Sequence, residues 1–447
     1  MKHLSGGRRR IAAGAALATV AALALAGCAG SAGGSASAGS PDAVKAALEK
    51  GGEITYWSWT PSAKAQVAAF EKAYPKVKVN LVNAGTGNDE YTKLQNAIKA
   101  GSGAPDVVQV EYYAFPQFVL SNALLDLAPF GFSDLESDYT ASTWASVTAG
   151  EKIYGLPQDS GPMALFYNKT VFDQYGLTVP TTWDEYIADA EKLHAADPTK
   201  YITNDIGDAG FSTSMIWQAG GRPFKTDGTK VTIDLQDAGS KKWADTWNKL
   251  VSKGLVAPTG SWSDEWFTGL GNGSIATLVI GAWMPGNLES GAPAGKGNWR
   301  VAPMPTYDGS PASAENGGGG QAVTKQSKNP ALAAGFLKWL NNSDGSIATF
   351  LASGGFPSTT KQLNSPEFLG ATPEYFGGQK INEVLADSAK NVVKGWHYLP
   401  YQVYANSIFG DTVGQSYANK SDLNGGLQKW QDALVEYGNS QGFSVDK

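Results

Sequence analysis

Carboxylates and aromatic rings, not nucleophiles or metal ligands, carry the chemistry available to this chain. Glu111 directly follows the apolar run Val107-Val108-Gln109-Val110, and Asp159 follows Leu156-Pro157-Gln158. Two facing carboxylates can act as acid and base on a glycosidic bond, or can orient hydroxyl and amine groups without reacting. The ordinary alternative for each is a helix cap or a surface ion pair. Trp283 follows the apolar run 275–280, and Trp396 and Tyr398 lie between Gly395 and Pro400, where no amphipathic face offers them burial. Trp59 stands at the end of a short aromatic run, with Trp57 pointing the same way two residues earlier; Trp217 precedes Gly220-Gly221. Trp243 and Trp247, spaced i, i+4 with Leu250 at i+7, are expected in a helix core instead. Gly318 and Gly319 either form a loose turn or let backbone amides approach a ligand closely.

Several function classes are excluded or unsupported. No G-x-G-x-x-G follows the first predicted strand, and no G-K-[ST] follows the glycine run 317–320, so nucleotide binding has no motif. The three histidines are His3, His194 and His397, and no cluster has metal-ligand spacing; no cofactor and no metal are expected.

The only cysteine, Cys28, ends a leader made of Lys2, Arg8-Arg9-Arg10, an apolar stretch over 11–26 and Leu25-Ala26-Gly27-Cys28. Its 16 residues fall short of the roughly 20 that span a bilayer. The pattern resembles the lipobox of bacterial lipoproteins, which implies a signal peptide over 1–27, exported by the Sec route in preference to the twin-arginine one, and a lipidated Cys28 holding the protein on the outer face of the cell membrane. Residues 28–40 are then a flexible Ala/Gly/Ser tether. Removal of the leader takes four basic residues and no acidic ones from the 35 and 41 of the whole chain, leaving a net charge of about −10. That sign speaks against a nucleic-acid partner. With its one thiol committed, the chain has no internal disulfide, and about 420 residues suit two domains held by their cores.

The carboxylates and rings need a scaffold, and the first hundred residues supply a strand–helix alternation. Residues 54–59 read as a strand, Thr60-Pro61 as a helix start, 77–81 as a second strand, 91–98 as a helix stopped by Gly101, and 106–110 as a buried third strand. Thr182 and Glu185 match a capping box ahead of another helix. This order predicts a mostly parallel α/β sheet with ligands beyond the carboxyl ends of its strands, at Trp59, Asn83 to Gly85 and Glu111.

Seven phrases occur in register: FEKAYP at 70–75, APDVV at 104–108, YGLP at 154–157, FYNK at 166–169, PTTWDE at 180–185, NGSIA at 272–276 and NPALAA at 329–334. Together they resemble the maltose-type, or family 1, extracellular solute-binding proteins of ABC sugar importers, from about Glu53 to the end. The resemblance implies a two-lobed type II binding-protein fold, each lobe a mostly parallel sheet flanked by helices. Its lobes would be 41–158 plus 313–356 and 159–312 plus 357–447, with crossings near Gln158-Asp159, Ser313 and Phe356-Pro357. It further implies a monomer that closes on an oligosaccharide and presents it to permease subunits. A pyranose face packs on an aromatic ring while its hydroxyls need directed partners, so Trp59, Glu111, Asp159, Trp217, Trp283, Gly318, Gly319, Trp396 and Tyr398 are the expected ligand contacts. A secreted carbohydrate-active enzyme, or a receptor for a polyamine or peptide, is the alternative.

Overall fold

The computed structural model describes residues 39–447, so Cys28, the leader and most of the tether lie outside the described residues. The first described element precedes the first strand: a helix over Pro41–Lys50 capped by the Ser40 side chain, which accepts from the Ala43 amide. Val44 of this helix is buried.

The expected β-α-β-α-β order is present. Strands Gly52–Trp57, Val77–Val82 and Val107–Glu111 are parallel, with Gly52–Trp57 between the other two. The first strand stops at Trp57 instead of Trp59, and the cause is a side chain. The Gln109 amide oxygen accepts from Ser58 Oγ, the Trp59 and Thr60 amides and Thr60 Oγ1, replacing a neighbouring strand as the acceptor. Thr60 is therefore not the helix cap. The helix runs over Ala63–Ala73, and Pro61 lies in the turn before it. Elsewhere the local signals hold. Gly101 ends helix Asn88–Ala100 in the left-handed conformation, and Thr182 with Glu185 forms a complete capping box on helix Trp183–Ala196.

The fold has two lobes, each built on its own sheet. In the first, Gly319–Val323 runs antiparallel between Val107–Glu111 and Leu156–Pro157, so one strand of five opposes the other four. In the second, Met163–Asn168 lies antiparallel between Thr277–Gly281 and Trp299–Ala302. The parallel pair Thr203–Asn204 and Val256–Ala257 continues this sheet through the Tyr201–Ile275 bridge and the bond from the Thr277 amide to Ile202. Here too a single strand is reversed. Both reversed strands follow directly on a passage of the chain from one lobe to the other. The native strands of each lobe point their carboxyl ends toward the junction, so a chain arriving from the junction must run the opposite way.

At the junction three extended segments lie side by side. Asp159 bridges Pro357, Pro162 bridges Glu315 and Ser313 bridges Val392. The Gln158 amide donates to Gly319, the Ser160 amide to Phe356 and the Asn316 amide to Gly161.

The cores are separate as well. Ile54, Tyr56, Phe70 and Phe336 belong to one in the first lobe, and Tyr91, Val110, Phe115 and Phe118 to another. The second lobe buries Trp183, Trp243, Trp247, Trp266, Trp299 and Trp430 fully, so six of the chain's 14 tryptophans are sealed from solvent. Trp243 and Trp247 lie on helix Ala238–Ser252, capped by Asp237, as their spacing requires.

Candidate interlobe binding site

Glu111 is the last residue of its strand and is held by one tyrosine at two points. The Tyr91 hydroxyl accepts from the Glu111 backbone amide at 2.9 Å and donates to its carboxylate at 3.0 Å. Burial raises the Glu111 carboxyl above its usual range, although the Tyr113 and Tyr91 hydroxyls act the other way. Trp59 meets Tyr91 edge-on at 6.3 Å, so this ring and carboxylate share one support.

Asp159 sits in the first crossing segment. Its Oδ1 accepts from the Gly319 amide at 2.6 Å, and its backbone oxygen accepts from the Tyr112 hydroxyl at 2.6 Å. Burial pushes its carboxyl up to about 7 against the Gly319 bond, and the charges of Glu111 and Glu315 add to the rise. Gly318 has φ +87, and a β-carbon there would stand 2.9 Å from the Tyr112 ring. At Gly319 the obstacle is the Val110 carbonyl at 2.7 Å. Close chain packing thus explains both glycines, and the Gly319 amide is donated to Asp159 instead of facing open space.

The second lobe contributes two aromatic groups. Trp217, on helix Ala209–Gln218, is 4% exposed, donates its indole N–H to the Val393 carbonyl and stacks on Trp396 at 5.3 Å with 6° between planes. Tyr398 stands edge-on to both and packs against the Tyr112–Phe118 core of the first lobe. Burial raises its phenol, with the Glu315 and Glu111 charges adding to the effect. A groove of about 1650 Å³ is lined by Trp217, Trp396 and Tyr398 together with Tyr112, Phe115 and Tyr139 of the first lobe. The other group is centred on Trp283, just beyond strand Thr277–Gly281. Its indole N–H donates to the Asn316 carbonyl at 2.7 Å, and one face stacks on Trp262 at 5.7 Å.

Glu111, Asp159, Gly318 and Gly319 are therefore gathered around Tyr112, and Trp283 joins them through 316–317. Trp217, Trp396 and Tyr398 form one stack lining the groove, whereas Trp59 stays with Tyr91 on the first lobe. Two carboxylates escaped the sequence reading. Glu315 is 2% exposed and accepts from Ser142 Oγ, Ser160 Oγ and the Gly161 amide, tying the helix Ala141–Val147 to two crossing segments. Its place between Ser313 and the glycine run was the available signal. Glu90 is fully buried with no hydrogen-bond partner for either carboxylate oxygen among the described residues, and burial pushes it up to about 8. In the sequence it looks like an ordinary acid in a first helical turn, so nothing there marked it.

Two lobes, with rings and hydrogen-bonded acids where adjacent extended segments meet between them, define a cleft-type solute receptor. Residues 56–347 match the family model of bacterial extracellular solute-binding proteins, and the chain belongs to that family. A binding protein associated with an ABC transporter of Bifidobacterium animalis subsp. lactis, solved with β-1,6-galactobiose, is 46% identical over 88% of this chain and 99% of that one, with a TM-score of 0.80. The galacto-N-biose/lacto-N-biose I-binding protein of Bifidobacterium longum, solved with lacto-N-biose, is 26% identical over 89% and 99%, with a TM-score of 0.77. The lactose-binding protein of Rhizobium radiobacter is 26% identical over 75% of this chain and 82% of its own. Among the described residues no group of three or more His, Cys, Asp or Glu side chains is placed to hold a metal, and no helix is long and apolar enough to cross a membrane.

Proposed function

We propose that this protein is a monomeric, lipid-anchored receptor that binds an oligosaccharide between its lobes and delivers it to the permease of an ABC importer without altering it. The observation that carries the reading is that Glu111, Asp159 and Trp283 meet at the junction around Tyr112, while the Trp217–Trp396–Tyr398 stack and Tyr112 line one groove. The 46% identical neighbour solved with β-1,6-galactobiose supports a galactose-containing ligand. Each stacked sugar face contributes roughly 1–2 kcal/mol, and each hydroxyl left without a partner in a closed cleft costs about 1–3 kcal/mol. Rings supply affinity and acids supply orientation. The lobes are assigned as 41–158 plus 313–356 and 159–312 plus 357–447, and Cys28 as the lipid attachment point.

Titration calorimetry of the mature protein against β-1,6-galactobiose, lacto-N-biose, maltose, putrescine and a short peptide tests the ligand class. A galactoside should bind and the amine and peptide should not; binding of putrescine alone would reverse the assignment. Trp283→Ala and Trp396→Ala should each weaken galactoside binding by about 1–3 kcal/mol. Chromatography of the sugar after long incubation should recover it intact, and cleavage that disappears in Glu111→Gln would make the protein a glycosidase. Mass spectrometry of the membrane fraction should find a diacylated Cys28 at the mature N-terminus.

A further inference from the structure

Among the described residues three non-glycine positions have positive φ, and the bulky one is Trp262, at φ +71. A large side chain is disfavoured in this left-handed region, and such strain persists where surrounding structure overrides it, often at ligand clamps. Asn204 supplies the override. Its Nδ2 donates to the Thr259 carbonyl and to Ser261 Oγ, and its Oδ1 accepts from the Trp266 indole at 2.6 Å, fixing the loop on both sides of Trp262. Burial is not what the strained backbone gains, because Trp262 is 54% exposed. It is instead held upright against Trp283, 5.7 Å away with 25° between planes, with Trp266 and Phe267 against it as well. Ile206, also 54% exposed, lies against Gly260 of the same loop.

Trp283 is anchored to the crossing segment at Asn316 and neighbours Gly317, and Gly286 of the following helix faces Gly354 of the first lobe. Trp262 is thus one ring further from Asn316, with half of its surface exposed. We propose that Trp262 is a second sugar-stacking platform at the outer rim of the cleft, which receives a distal ring of ligands longer than a disaccharide. An exposed indole with hydroxyl and amide groups beside it, Ser261 and Thr259 among them, matches one face and the rim of a pyranose. This deepens the sugar-receptor reading and rests on it.

The test is calorimetry with β-1,6-galactobiose and the β-1,6-linked galactotetraose, on wild type, Trp262→Ala and Trp262→Phe, with melting temperatures for all three. Wild type should prefer the tetrasaccharide. Trp262→Ala should lose about tenfold in tetrasaccharide affinity and less than about twofold in disaccharide affinity, and Trp262→Phe should restore most of the loss. Equal losses for both sugars, with a lowered melting temperature, would mean that Trp262 only props Trp283 and would overturn the proposal; so would unchanged affinity for both. Wild type that binds neither sugar would overturn the underlying sugar reading, an outcome distinct from these.

Discussion

At the scale of single residues, the telling feature is that the junction acids, Glu315 buried and Glu111 and Asp159 half-buried, have no cationic partner within salt-bridge distance among the described residues. Asp159, Glu111 and Glu315 are all raised by desolvation, and their hydrogen bonds come from hydroxyls and backbone amides. A carboxyl whose folded pKa exceeds its unfolded value contributes stability that is complete below the unfolded pKa and is lost as pH rises through the folded one. For Asp159 that span runs from 3.8 to about 7. Asp205 and Asp189, pushed up to about 6, and Glu90 add in the same direction. The melting temperature of the ligand-free protein should therefore fall between pH 5 and pH 8. Asp159→Asn keeps an acceptor for the Gly319 amide and removes the ionisation, so it should reduce that fall by about 2–4 °C in a calorimetric pH series. An unchanged pH profile would mean that Asp159 is solvated in the free protein.

At the scale of elements, the crossing segments tolerate no added bulk. A β-carbon at Gly161 would lie 2.2 Å from the Asn316 carbonyl, the backbone partner whose amide donates to Gly161 in turn. Gly161→Ala must push two crossing segments apart and loosen the Gly161 amide from Glu315, and a loss of roughly 2–4 kcal/mol in denaturant unfolding is expected. Gly345 provides the control. It sits inside helix Asp344–Ala352 with nothing within 4 Å of an added β-carbon, so Gly345→Ala should stabilise by about 0.5–1 kcal/mol. If the two variants behave alike, steric closeness at the junction is not what holds the segments together.

At the scale of the molecule, the reversed strand in each lobe and the bridged segments beside it are the strip about which we propose that the lobes pivot. Closure by hinge motion leaves each sheet and each core intact. Small-angle scattering should show a smaller radius of gyration with saturating galactoside than without, and circular dichroism should show no change in helix content. Bound sugar with an unchanged radius would indicate a rigid site.

The sequence alone determined the local elements and the family, because these rest on short-range physics. A capping box at Thr182, a left-handed stop at Gly101 and a helical tryptophan stripe at Trp243 and Trp247 each need only a few neighbours, and all three stand in the structure. It failed where a distant side chain intervenes, as when Gln109 takes the Trp59 and Thr60 amides and ends the first strand two residues early. Tertiary structure alone decided that Trp217 is stacked and nearly sealed, that Gly319 gives its amide to Asp159 and that Glu315 ties both lobes at the junction. It also decided that Glu90 is buried and that Trp262 is strained, exposed and set against Trp283. Desolvation, stacking and backbone approach depend on residues that lie far apart in the chain, and no spacing within the chain encodes those meetings.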